Sequence, residues 1–143
     1  MSFIKIYIHF VWSTKNREPY LNSPELRRKV WDHIKSNAKD KHIFVDTING
    51  YHDHCHCLIS LGKEQAVSTI MQLMKGESSY WINKNNLCSQ KFEWQDEYFA
   101  SSVSESEVNR VREYINTQEM HHKNKSWKEE YEEFIEGKAQ GLG

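Results

Sequence analysis

The chain has 143 residues, a formal net charge of −1, 38% hydrophobic and 13% aromatic residues, and three cysteines. That length supports one domain with a single core; the charge excludes a globally basic nucleic-acid binder, and three cysteines, an odd number, read as reduced thiols and not as a disulfide framework. No apolar run approaches the ~18 residues of a membrane span, and residues 1–12 carry no leader-like cleavage site, so a cytoplasmic protein without membrane partners is expected.

Residues 3–12 alternate, with Ile4, Ile6, Ile8, Phe10 and Trp12 facing one way and Lys5, Tyr7, His9 and Val11 the other, which predicts a strand. Ser23-Pro24 supplies a helix N-cap with proline in the first turn. Leu26, Val30, Ile34 and Ala38 then recur at helical spacing to about residue 38. A second strand is expected at about 42–49, where His42, Phe44, Asp46 and Ile48 oppose Ile43, Val45 and Thr47, closed by a turn at Asn49-Gly50.

A third strand runs from about 53 to 61 and stops at Gly62. Val67, Ile70, Met71, Met74 and Trp81 predict a second amphipathic helix over 66–83. Gly76 inside it costs ~1 kcal/mol relative to alanine, which points to close packing or backbone access. Two short strands, at 91–94 and 98–103, precede Ser104 and Glu107, a capping box for a third helix at about 105–122.

This order predicts an α+β, ferredoxin-like antiparallel sheet with two helices on one face, plus a C-terminal helix that bears Tyr114. Residues 1–125 are expected to form the single domain, and 126–143 an acidic, solvated tail.

Two histidines separated by one residue, His54 and His56, emerge on the same side of an extended chain, with His52 in the same row. Cys55 and Cys57 then point the other way, toward the helices, as small buried apolar groups. The spacing fits an exposed polar row as well as half a metal site. A mixed Cys/His zinc site fits worse, because alternation separates thiols from imidazoles and zinc ligand pairs usually come from turns.

On the third helix, Val108, Val111 and Ile115 make a thin apolar stripe, and Tyr114 and Gln118 lie one turn apart beside it. A helix tyrosine with a half-buried ring is the ordinary reading of Tyr114 alone. Two imidazoles and an amide oxygen form a mixed donor set that favours Mg²⁺ or Mn²⁺ acting as a Lewis acid. A tyrosine hydroxyl, with a pKa near ~10, needs such help to attack a phosphate.

These residues and the stretches around them resemble the single-tyrosine HUH transposases (TnpA type) of the smallest bacterial insertion sequences, and their REP-associated tyrosine transposase relatives. The resemblance spans roughly residues 3–122 and includes HFVWSTKNREPYL, the H-C-H pair, MQLMKGESS, WQDEYFASSV and VREYINTQEMHH. It implies that His54, His56 and Gln118 bind a divalent metal and that Tyr114 is the nucleophile. It also implies a 5′-phosphotyrosine intermediate on single-stranded DNA with hairpin ends, and a bacterial homodimer in which Tyr114 of one subunit can complete the other's site, its placement in cis or in trans being left open by the sequence. Cys55 departs from the pattern, since the family usually carries a bulkier apolar residue there; its thiol also raises the prospect of oxidation at the site.

Lys15, Arg17, Lys75, Arg112, His121 and His122 are candidate DNA contacts, with Lys5 and Arg110 as further basic positions. For any single one of them the ordinary reading is a solvated surface charge. Trp94, Tyr98 and Phe99 either pack the core or stack on an unpaired base. The competing readings are a domesticated REP-associated enzyme of the same chemistry, and a nucleic-acid- or zinc-binding module without catalysis.

Overall fold

The computed structural model describes residues 3–118 together with Glu129 and Glu132. His121, His122 and most of the 126–143 tail lie outside the described residues. The elements in chain order are β1 (Ile6–Ser13), α1 (Pro24–Asp40), β2 (Phe44–Tyr51), β3 (His54–Leu61), α2 (Val67–Lys84), β4 (Phe99–Val103) and α3 (Val108–Asn116). Short 3-10 turns occupy Lys15–Arg17 and Glu105–Glu107. All pairings are antiparallel and the sheet order is β2-β3-β1-β4, the ferredoxin-like arrangement expected. No helix among the described residues is long and apolar enough to cross a membrane.

Alternation along β1 and β3 sorts the molecule into two cores. Ile8, Phe10, Trp12, Cys55, Cys57 and Ile59 meet Val30, Ile34 and Ala38 of α1 and Ile70, Met71 and Met74 of α2. On the opposite face Val11, Leu58 and Val103 meet Val108, Val111, Tyr114 and Ile115 of α3. Ser23 starts α1 as the sequence predicts, its hydroxyl accepting the Leu26 amide at 3.1 Å.

Four local expectations are corrected. β2 does not alternate regularly: the register shifts between Val45 and Thr47, leaving Asp46 as the extra residue of a bulge. Beyond it Ile48 pairs with Cys57 and packs against the helix-side core, while Asn49 pairs with His56 on the other face. Asn49-Gly50 is not the turn; His52 and Asp53 make it, and Gly50 pairs with Cys55 inside β2. A Cβ on Gly50 would collide with the His54 carbonyl oxygen and sit 2.9 Å from Trp31 Cζ2, so close packing selects glycine here.

Residues 91–94 do not form a strand. Asn83 takes both backbone groups of Phe92, at 2.7 and 2.9 Å, which fastens this segment to α2 and leaves one bridge, Thr14 to Trp94. Nor does the capping box form. Ser104 Oγ meets Ser106 Oγ at 3.3 Å, Glu107 faces Arg110 at 3.8 Å, and a 3-10 turn leads into α3.

Candidate active site

β3 lies between β2 and β1, so its side chains are flanked on both sides before any helix covers them. His54 pairs with Tyr51 and Ser13, and His56 with Asn49 and Val11. Both imidazoles face α3 and are fully buried, as is Gln118, while Tyr114 is 7% exposed. His52 is not part of the row. It sits in the β2–β3 turn with its ring stacked on Tyr51 at 3.9 Å.

α3 docks through its apolar stripe, and two polar contacts fix it along β2. The Asp46 carboxylate, re-aimed by the bulge, accepts from Arg112 Nε at 2.8 Å and Nη2 at 2.6 Å. The Asn49 amide donates to the carbonyls of Ile115 and Asn116 at 3.0 and 3.2 Å, satisfying the helix end. Arg112 holds the Asp46 carboxyl below its usual range. So anchored, Tyr114 stands edge-on to His56, ring centroids 5.5 Å apart, and 6.3 Å from His9.

Gln118 Nε2 donates to the Tyr114 carbonyl at 3.2 Å, which turns its Oε1 toward His54 Nε2 at 3.2 Å. On the far side of the ring, His54 Nδ1 lies 2.8 Å from Asp53 Oδ1. A carboxylate only accepts, so Nδ1 carries the proton. Burial pushes the Asp53 carboxyl up, but His54 and Arg17 outweigh it and hold the group below its usual value.

With Nδ1 protonated, a neutral His54 would face the amide oxygen with its Nε2 lone pair, and a positive centre between two such acceptors would offset their repulsion. The donor chemistry fits a hard divalent cation: adjacent ligands of an octahedral ion at ~2.0–2.1 Å are separated by about 3 Å. Cys55 and Cys57 take no part. They are buried in the helix-side core, where burial pushes both thiols well up, so Cys55 is not an oxidation-prone thiol at this site. Among the described residues no group of three or more His, Cys, Asp or Glu side chains is placed to hold a metal. The candidate set is two histidines completed by a glutamine.

The sequence reading missed Asp53 and His9 as partners of the candidate ligands. His9 Nε2 lies 2.9 Å from His56 Nδ1, with both rings buried; burial lowers the His9 pKa to about 3, so the ring is neutral. In the β1–β3 register His9 is opposite Leu58, and it reaches His56 along the diagonal. The available signals were the placement of His9 on the same predicted face and the adjacency of Asp53 to His54.

The candidate DNA contacts fall into separate places. Lys15 pairs with Glu93 at 2.9 Å, Arg17 with Asp53 at 3.1 Å, and Arg112 with Asp46. Lys75 donates to the carbonyls of Gln95 and Asp96 and lies 5.9 Å over the Tyr98 ring, and burial lowers its pKa. Lys15, Lys75 and Tyr98 line one cleft of about 680 Å³ beside Gly76, where an added Cβ would meet nothing within 4 Å. Gly76 thus exposes backbone and serves no close packing. Trp94 packs edge-on against Trp12 and Phe92, whereas Tyr98 and Phe99 keep over a third of their surface exposed.

Fold and site describe a small α+β domain with a tyrosine beside a two-histidine centre, on the sheet face that α1 and α2 leave uncovered. The chain belongs to the IS200-like transposase family, whose description "Transposase IS200 like" matches residues 2–118. Its structure is similar to the crystal structure of a transposase candidate from Deinococcus radiodurans R1, with a TM-score of 0.66 and 20% identity over 82% of this chain and 93% of that one. It is also similar to a REP-associated tyrosine transposase bound to a REP hairpin, with a TM-score of 0.62 and 16% identity over 86% of this chain and 72% of that one. No curated protein matches the chain.

Proposed function

We propose that this transposase cuts and rejoins single-stranded DNA through a 5′-phosphotyrosine link to Tyr114. The observation that carries the reading is the convergence of Tyr114, His54, His56 and Gln118 in one buried centre of a transposase-family chain. Tyr114 Oη attacks the scissile phosphorus, the new O–P bond replaces the P–O3′ bond, and the phenolic proton ends on the departing 3′ oxygen. The ester keeps the bond energy, so another 3′ hydroxyl reverses the step without ATP. A divalent cation held by His54, His56 and Gln118, Mg²⁺ or Mn²⁺, would supply Lewis-acid polarisation of the phosphate.

The remaining work belongs to the chain itself. Asn49 and Arg112 fix α3, Gln118 is oriented by the Tyr114 carbonyl, and Asp53 holds the His54 ring. Because the donors are buried under α3, a DNA phosphate reaches them only when that helix shifts. We therefore retain a homodimer in which α3 can be exchanged between subunits. Lys15, Lys75 and the exposed Tyr98 ring suit a DNA strand in their shared cleft. A hairpin-ended substrate is favoured by the fold shared with the hairpin-bound relative. The placement of Cys55 and Cys57 in the other core speaks against a mixed Cys/His zinc site.

The test incubates the protein and Mn²⁺ with labelled single-stranded DNA from the ends of its own element. The expected result is a denaturation-resistant adduct that is absent with Tyr114→Phe. Absence of an adduct with wild-type protein on that DNA would overturn the reading. Mixing Tyr114→Phe with His54→Ala protein after subunit exchange is expected to restore one working site per heterodimer; no recovery would count against the shared-site assembly.

A further inference from the structure

The two candidate imidazole ligands are held by unlike partners. His54 faces a carboxylate, which can only accept, so Nδ1 carries a proton and Nε2 is the ring nitrogen left for a cation. His56 faces a second imidazole, His9, at 2.9 Å, and each ring is at most 1% exposed. One proton lies between those two nitrogens, and it can belong to either ring.

The two choices have opposite consequences. If His56 Nδ1–H donates to His9 Nε2, the His56 Nε2 lone pair is available for a cation. If His9 Nε2–H donates to His56 Nδ1, the His56 proton moves to its own Nε2 and blocks that atom. Neutral imidazole in water slightly prefers the Nε2–H form, the wrong one for a ligand that must bind through Nε2. Something in the fold has to reverse that preference, and His9 is the group placed to do so.

We propose that His9 is a positioning residue: its Nε2 accepts the His56 Nδ1 proton and thereby dedicates His56 Nε2 to the divalent cation. The proposal rests on the reading that His54, His56 and Gln118 hold that cation. It assigns the first strand a part in the site, since β1 supplies the tautomer lock for β3. It also separates the two ligands. His54 is set by the Asp53 carboxylate beside the β2–β3 turn, whereas His56 is set by a second imidazole inside the sheet.

The experiment uses the full chain with ¹⁵N-labelled histidine. Long-range ¹H–¹⁵N correlation spectra of the metal-free protein are expected to show His56 protonated on Nδ1 and His9 with an unprotonated Nε2. Calorimetry with Mn²⁺ is expected to show about tenfold to hundredfold weaker binding for His9→Phe, the range that loss of an outer partner of a metal ligand produces. His9→Gln, whose side-chain oxygen can accept the same proton, is expected to recover most of that loss, and circular dichroism checks that each variant folds. A His56 ring protonated on Nε2 in the wild type overturns the proposal, and so does a folded His9→Phe with unchanged Mn²⁺ affinity. If wild-type protein binds no Mn²⁺, the cation reading falls by itself, and the His56 tautomer still decides the role of His9.

Discussion

The two faces of the sheet are built from alternate residues of the same strands, yet they are made for different work. On the helix side, Phe10, Trp12, Cys55, Cys57 and Ile59 are sealed beneath α1 and α2 with apolar partners. On the other side, buried polar groups occupy the same strands: His9, Ser13, His54 and His56, under a helix that adds Gln118. Burying such groups is costly unless each is partnered. Asp53, His9, Gln118 and the Tyr114 carbonyl supply partners, and the site has little freedom left. A period of two is thus enough to keep a packing layer and a chemical layer apart by the thickness of one backbone.

The largest expected effect tests the packing layer. Phe10→Ala empties a fully buried ring site and is expected to cost about 3–5 kcal/mol, read as a lower denaturant midpoint. A loss below 1 kcal/mol would show that this face is not the principal core. Gln118→Ala should do the reverse. It removes the amide oxygen that faces His54 Nε2 and is expected to weaken Mn²⁺ binding on the order of tenfold, or ~1.4 kcal/mol, with little change in stability. Equal damage to stability and binding would erase the contrast between the faces.

A smaller effect concerns the anchor of α3. Asp46→Asn is expected to cost about 1 kcal/mol or less at neutral pH, because Arg112 is 40% exposed and the pair is screened by solvent. The folded-state pKa of Asp46 is depressed by Arg112, so the contribution is complete above the unfolded value of ~3.9 and is lost as pH falls through the lower folded value. Wild type and Asp46→Asn should therefore differ in melting temperature above about pH 4 and converge in stronger acid. The smallest effect is chemical: in the folded protein a thiol reagent should modify the half-buried Cys88 before Cys55 or Cys57. Rapid loss of Cys55 would contradict its burial.

Much of this contrast was legible in the sequence, because strand alternation is a local property. β1 and β3 kept their predicted faces, and Ser23, Val30, Ile34 and Ala38 placed α1 correctly. What escaped depends on partners distant in the chain. The bulge at Asp46 is visible only once Arg112, 66 residues away, claims its carboxylate. Asn49-Gly50 reads as a turn locally, but Gly50 is dictated by Trp31 and the His54 carbonyl. His9 became part of the candidate site through a hydrogen bond across 47 residues of sequence, on a diagonal that alternation alone does not reveal. Phe92 left the sheet because Asn83 captured its backbone.

The most direct test of the account is to find the atom that carries the DNA. Protein trapped on single-stranded DNA should be digested with protease and nuclease and the nucleotide-bearing peptide sequenced by mass spectrometry. The account predicts a 5′-linked nucleotide phosphate on Tyr114. A phosphate on any other residue, Tyr98 in the cleft included, would contradict it.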